Sequence, residues 1–110
     1  MSDVRILPLA DRWPDSTDAP NPVVEQDDPQ GQVGTYVIEP GERVPETGMT
    51  AHEGTEISVI LEGESKLVAN GEEYTIGPNS LVVLEPGVEH YTVNTGSDPT
   101  RLVYTILGGL

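Results

Sequence analysis

The sequence predicts an all-β domain, folded as a closed barrel or jelly roll with an irregular N-terminal arm. Two observations support this fold class. The 110 residues include 12 Gly and 10 Pro, a composition that favours short strands joined by tight turns. From Val33 onward, β-branched and apolar segments alternate with turn dipeptides, and no long segment has helical periodicity. One domain of this length has room for a modest core and one small pocket.

The N-terminal arm is predicted over residues 1–32, and the barrel over 33–110. A short edge strand is expected at 4–9, where the chain is apolar. The prolines and acidic residues that follow disfavour a regular central strand or helix, so we expect an irregular wrap. Trp13 is expected to anchor this wrap on the barrel.

The barrel segment contains seven predicted strands, each bounded by turn residues. The strongest hairpin signal is Asn70-Gly71, which lies between two short alternating segments. Evenly spaced short strands of this number favour a closed architecture, because closure removes exposed sheet edges. The predicted strands are 33–39, 56–62, 65–69, 72–76, 81–84, 88–94 and 101–107.

The charge balance is strongly acidic, with 19 Asp and Glu against five Lys and Arg and a net charge of −14. Binding to nucleic acid or to an anionic membrane requires clustered basic residues, and the few here are scattered. A single lysine, Lys66, beside so many acids is typical of cytosolic proteins from salt-accumulating microbes. The acidity fits either an ordinary solvated surface or a protein that works in multimolar salt, and we expect the second, a halophilic protein that binds neither nucleic acid nor an anionic membrane.

The chain has no cysteine, which excludes disulfides and thiolate metal ligands. No apolar stretch approaches the roughly 18 residues that suggest a membrane span. The N-terminus lacks the basic and then apolar pattern of a signal segment. The expected location is the cytoplasm.

Two histidines and one glutamate are the strongest candidates for chemistry. His52 and Glu56 share one face of an extended chain, because side chains alternate with a period of two. A straight strand would separate their Cα atoms by about 13 Å, and Gly54 permits a bend that shortens this span. His90 follows the turn Pro86-Gly87 and opens another strand. We predict that the three side chains converge inside the barrel as a metal or small-molecule site.

The face that carries these residues is partly polar, and the opposite face is apolar. Ser58 shares a face with Glu56, and Thr92 shares one with His90, so both are predicted pocket walls. Tyr36 is a further candidate for the pocket wall. An apolar outer face needs a cover, which predicts a homodimer. The outer-face residues on these strands are Ile57, Val59, Leu61, Tyr91 and Val93.

Two segments resemble the motifs of the cupin family, of the small conserved-barrel, cupin 2 type. The segment from His52 through Glu56 to Gly63 is similar to the second half of the first motif, G-x5-H-x-H-x3,4-E-x6-G. The segment 79–94 is similar to the second motif, G-x5-P-x-G-x2-H-x3-N. The two motifs occur in order, separated by a hairpin, and the resemblance covers roughly residues 33–107.

The chain departs from these motifs at three positions. Metal-binding cupins use three histidines and one glutamate, and the resemblance assigns three of those ligands to His52, Glu56 and His90. Thr50 stands where the first histidine of H-x-H is expected. An alternative alignment on Pro45 places Thr47 and Met49 at the two histidine positions. Asn79 replaces the first glycine of the second motif and tolerates a left-handed backbone. Glu85 replaces its proline.

The resemblance implies a metal-binding cupin that binds or acts on a small polar metabolite. Two histidines and one carboxylate suit Fe, Zn, Mn, Ni or Cu and leave positions open for water or substrate. Thr50 is then a pocket-lining residue. If the protein is an enzyme, the resemblance implies a metal-dependent oxygenase, isomerase or lyase. The alternative is a non-catalytic module that binds a small molecule, such as a sugar, without metal.

Overall fold

The computed structural model describes residues 5–15 and 20–109, and this part of the chain is all β, with no helix. No membrane-spanning helix is therefore found among these residues. Nine strands follow one another along the chain. They are β1 (Asn21–Asp27), β2 (Gln30–Ile38), β3 (Arg43–Val44), β4 (Thr55–Glu62), β5 (Ser65–Ala69), β6 (Glu72–Ile76), β7 (Ser80–Leu84), β8 (His90–Val93) and β9 (Thr100–Leu107).

The strands form two antiparallel sheets that face each other. The five-stranded sheet has the order β1-β2-β9-β4-β7, and the four-stranded sheet has the order β3-β8-β5-β6. Alternate residues of β9 are buried, as expected for a strand with one face on a core. The buried cluster between the sheets contains Ile38, Ile60, Leu67, Ala69, Ile76, Leu84, Leu102, Tyr104 and Ile106. The predicted all-β jelly roll is confirmed.

Two asparagines in turns, Asn70 and Asn79, adopt the left-handed backbone conformation. Asn70 and Gly71 both have positive φ, at 51° and 78°, which is the backbone that a two-residue hairpin requires. They join β5 and β6, whose bounds agree with the prediction. Asn79 has a φ of 66°, so it adopts the left-handed conformation in the position where the cupin motif carries glycine.

The N-terminal part differs from the prediction. Residues 5–9 contain no strand, and Val4 lies outside the described residues. The edge strand is instead β1, which pairs with β2 in the region that was expected to be irregular. Proline is tolerated in β1 because an edge strand has one side without ladder hydrogen bonds, and the register shifts between Pro22 and Val24. The division into an arm at 1–32 and a barrel at 33–110 stays a prediction.

Residues 12 and 13 of the arm lie against the outer face of β2 and β9. The Arg12 carbonyl oxygen accepts hydrogen bonds from Thr35 Oγ1 and Asn21 Nδ2. The Arg101 guanidinium carbon lies 5.7 Å from the centre of the Trp13 ring. Thr35 is completely buried although it points away from the core between the sheets. The arm therefore covers one end of an otherwise open sheet face.

Candidate metal centre

His52, Glu56 and His90 meet inside the barrel. One ligand atom from each lies within 4.8 Å of the other two, a spacing that lets a single ion contact all three. The Nε2 atom of His52 is 3.1 Å from Oε1 of Glu56. The two imidazole rings are 5.9 Å apart between centroids and tilted by 48°. The predicted convergence of these three side chains is what the structure shows.

His90 is held in place by its own backbone and by its ring. Its N–H and C=O exchange two hydrogen bonds of 2.9 Å with the backbone of Thr50, and its strand β8 pairs with β5. The Nδ1 atom lies 3.0 Å from the Val88 carbonyl oxygen, so Nδ1 carries the proton and donates it. Nε2 is then the nitrogen left for a ligand, as is usual for a metal-binding histidine with a backbone partner.

His52 and Glu56 come from the two sides of a bend at Glu53 and Gly54. The His52 carbonyl oxygen accepts a hydrogen bond of 2.8 Å from the Gly87 N–H, which joins it to the turn before His90. Glu56 is the second residue of β4 and lies between Leu84 of β7 and Ile106 of β9 in register. Glycine is needed at 54 because an added Cβ would collide with the Leu107 carbonyl oxygen.

The three side chains open into a cavity of about 760 Å³ between the sheets. Thr50, Ser58, Thr92 and Tyr36 line it, together with apolar side chains from both sheets. Thr50 is the residue paired with His90, whereas Met49 is half exposed and does not line the cavity. Of the two alignments considered for the missing histidine, the structure therefore favours the one that puts Thr50 there.

Tyr104, which belongs to the buried core, and Gln32 also line the cavity, although the sequence did not indicate either as a site residue. The Tyr104 hydroxyl donates a 2.7 Å hydrogen bond to Gln32 Oε1. Burial, followed by the charges of Glu25 and Glu56, raises the pKa of Tyr104 to about 12. The ring lies across Gly34, where a Cβ would be 2.5 Å from the hydroxyl oxygen. The only sequence signal for this arrangement is a glycine within a β-rich segment.

The donor set fits a transition metal ion. Two imidazoles and a carboxylate are ligands that Fe(II), Zn, Mn, Ni and Cu accept, and three protein ligands leave coordination positions open. His90 is only 6% exposed, and the side chains of His52 and Glu56 are 22% and 18% exposed. The centre is thus partly shielded from water but reachable from the cavity.

Comparison with known proteins agrees with this architecture. The Cupin_2 family model, described as a cupin domain, matches residues 34–106. No curated protein matches the chain. An uncharacterised double-stranded β-helix protein from Klebsiella pneumoniae is similar in structure with a TM-score of 0.82 and 21% identity, over 97% of this chain and 92% of the other.

Two further solved structures have the same fold. A Cupin 2 conserved barrel domain protein from Salinispora arenicola has a TM-score of 0.71 and 21% identity, over 97% of this chain and 89% of the other. The Cupin_2 domain of an XRE family transcriptional regulator from Enterobacter cloacae has a TM-score of 0.71 and 22% identity, over 81% and 94%. At these identities the likeness concerns the fold alone.

Proposed function

Because the chain belongs to the Cupin_2 family, we propose that it binds one divalent transition metal ion through His52, Glu56 and His90, and a small polar metabolite beside that ion. The observation that carries the proposal is the approach of three ligand atoms to within 4.8 Å of one another. A bound ion would supply Lewis acidity or bind dioxygen at the wall of the cavity. The residues around it would orient the metabolite and exclude bulk water.

The experiment measures metal content and metal affinity of the protein purified in high salt. We expect about one equivalent of ion, and its loss in Glu56→Gln and His90→Ala, because each variant removes one of only three protein ligands. Glu53→Gln is the matched control, since it makes the same change at an exposed residue outside the cluster. Equal affinities in Glu56→Gln and Glu53→Gln would refute the proposal.

A metal-free binding module is the second candidate, and the contact between His52 and Glu56 favours it. At 3.1 Å the imidazole and the carboxylate are within hydrogen-bonding distance, so each can serve as the polar partner of the other. Among proteins with this fold, the Enterobacter cloacae example is a domain of a transcriptional regulator. Protein that stays free of metal after incubation with Fe(II), Zn and Mn, yet is stabilised by a sugar or another small molecule, would support this candidate.

We also propose a homodimer that is formed through the outer face of β4 and β7. Val59 and Leu61 on β4 are 38% and 42% exposed, and Leu81 and Val83 on β7 are 64% and 49% exposed. β7 is an edge strand, and Val59 lies opposite Leu81 in register. For a chain with a net charge of −14, this uncharged patch is the surface on which a second copy meets least repulsion.

Light scattering across a concentration series tests the dimer. We expect twice the monomer mass for the native chain and a shift to monomer for Leu81→Glu/Val83→Glu. Val33→Glu, on the same sheet but outside the patch, is the matched control. A native chain that stays monomeric at high concentration would contradict this proposal.

The cytoplasmic location and the halophilic character also stay predictions.

A further inference from the structure

The cavity around the candidate metal centre is negatively charged at its rim. Four carboxylates outside the centre line it, namely Asp15, Glu39, Glu42 and Glu46. Arg43 is the one Lys or Arg side chain among the described residues that line the same cavity. Together with Glu56, these carboxylates carry more negative charge than Arg43 and a divalent ion carry positive charge. A cleft with one dominant charge concentrates ligands of the opposite sign and opposes those of the same sign.

Arg43 is already engaged with the protein. Its Nη1 donates to the Pro45 carbonyl oxygen at 3.1 Å, and its Nη2 donates to the Gly48 carbonyl oxygen at 2.8 Å. Its guanidinium carbon lies 3.9 Å from the centre of the Tyr91 ring. The planar fork that would otherwise clamp a carboxylate or phosphate therefore holds the 45–48 loop instead.

Ser58 provides a second and independent observation that points to an organic ligand. It is 6% exposed and lines the cavity, and its side chain takes part in no hydrogen bond among the described residues. In register it lies between Val82 of β7 and Tyr104 of β9. Its oxygen is not among the fully buried polar atoms that lack a partner, so it is open to the cavity, where it can both donate and accept a hydrogen bond. The partner that it lacks in the protein is available from a ligand.

We propose that the cavity binds a small hydroxylated molecule without negative charge, and that Ser58 hydrogen-bonds to one of its hydroxyl groups. The inference rests on the proposed function, because it concerns the metabolite of the same cavity. Uncharged and cationic molecules enter past the acidic rim, and carboxylates and phosphates are repelled. The apolar walls around Ser58, which include Ile60, Leu84 and Leu102, contact the carbon skeleton.

The lack of native cysteine permits a direct test of charge selection. Ser58→Cys places a single thiol in the cavity with little change in size. Its rate of modification is measured with three methanethiosulfonate reagents that carry a trimethylammonium, a hydroxyl or a sulfonate group. Each rate is divided by the rate for the same variant unfolded in urea. We expect the normalised cationic rate to exceed the anionic rate by about tenfold at low salt, and the ratio to fall in 3 M KCl.

Paired carboxylate variants localise the effect. Glu42→Gln/Glu46→Gln in the Ser58→Cys background should lower the ratio several-fold. Glu72→Gln/Glu89→Gln is the matched control, because it removes the same charge from exposed residues that do not line the cavity. If Ser58→Cys does not fold, Thr92→Cys, which also lines the cavity, carries the same measurement. A ratio of one or less, or an equal response to both pairs, overturns the inference.

Ligand-detected NMR tests the hydroxyl contact with three two-carbon probes: ethanolamine, ethylene glycol and glycolate. We expect signals from ethanolamine and ethylene glycol, their loss in Ser58→Ala, and no signal from glycolate. Preference for glycolate, or no signal from any probe, overturns the inference. Metal content is measured on the same samples. Protein that holds its ion but prefers glycolate refutes this inference alone, whereas metal-free protein with the expected charge ratio refutes only the proposed metal site.

Discussion

The Nε2 atom of His52 lies 3.1 Å from Oε1 of Glu56. In a straight strand the Cα atoms of these two residues would be about 13 Å apart, a long span for the two side chains to bridge. The bend at Glu53 and Gly54 brings them together. Gly54 donates its N–H to the Gly109 carbonyl oxygen at 2.8 Å, and its Cα packs against the backbone of Leu107 at the end of β9. The geometry of the candidate centre thus depends on a position that has no side chain.

Gly54→Ala is expected to destabilise the fold by about 1–3 kcal/mol, because the new methyl group must displace the Leu107 carbonyl. It should also weaken metal binding by moving His52 away from Glu56. Urea unfolding and metal titration measure the two effects. The control is Gly77→Ala, where the nearest atom to the added Cβ is a Glu64 carboxylate oxygen at an ordinary 3.8 Å. Equal stabilities of the two variants would contradict the prediction.

Asn94→Ala is expected to lower the free energy of unfolding by about 3 kcal/mol. The side chain is fully buried, and its Nδ2 donates to the carbonyl oxygens of Ile38 and Asp98 at 2.8 Å each. Its Oδ1 accepts from the Gly96 N–H at 2.8 Å. Removal leaves one buried and two partly buried backbone groups without these partners, and a buried group left unpaired costs about 1–3 kcal/mol. Urea unfolding measures the loss, and Gln26→Ala, which removes one exposed hydrogen bond, should change stability far less.

Alkaline pH is expected to destabilise the protein through Tyr104. Burial raises the pKa of its hydroxyl to about 12 from the ordinary value of 10.0. Between pH 10 and about pH 12 the Tyr104 hydroxyl is deprotonated in the unfolded chain but still protonated in the folded one. The folded state therefore becomes less stable as the pH rises through this range. Tyr104→Phe should remove this loss, at a cost of about 1 kcal/mol at neutral pH for the lost hydrogen bond to Gln32.

Urea unfolding at pH 9 and pH 11.5 measures this pH effect. Tyr91→Phe is the control, because it keeps Tyr104 intact and should retain the alkaline loss. If Tyr104→Phe loses as much stability between the two pH values as the native chain does, the assignment to Tyr104 is incorrect.

The melting temperature is expected to rise with KCl concentration. The net charge of −14 produces repulsion within the folded chain, and about 1 M salt shortens the screening length to about 3 Å. A variant with exposed Glu72, Glu73 and Glu89 changed to Gln should depend less on salt. A melting temperature that is flat between 0.1 and 3 M KCl would contradict the halophilic interpretation.

Local signals in the sequence predicted most of the barrel. The strands on both sides of Asn70-Gly71 have the predicted bounds, because a two-residue turn fixes the register of its hairpin. The face shared by Glu56 and Ser58 was also predictable, since alternation within one strand needs no tertiary information. His90 opens β8 as expected from the turn that precedes it.

The remaining features depend on contacts between distant segments. β1 was missed because proline argues against a strand, and only its edge position in the sheet removes that objection. The acidic rim joins Asp15 to Glu39, Glu42 and Glu46 across the arm and two strand ends. Nothing in the local pattern distinguishes these carboxylates from the solvated acids elsewhere in the chain.

The match to the family begins at residue 34, but β1 lies before that point. A fragment trimmed to the match would lose β1 and the first four residues of β2, and it would leave Gly34 and Thr35 without their β1 partners at a new sheet edge. It would also expose the side of Thr35 that the Arg12 carbonyl now covers. We therefore expect a trimmed fragment to aggregate more readily than the full chain during expression.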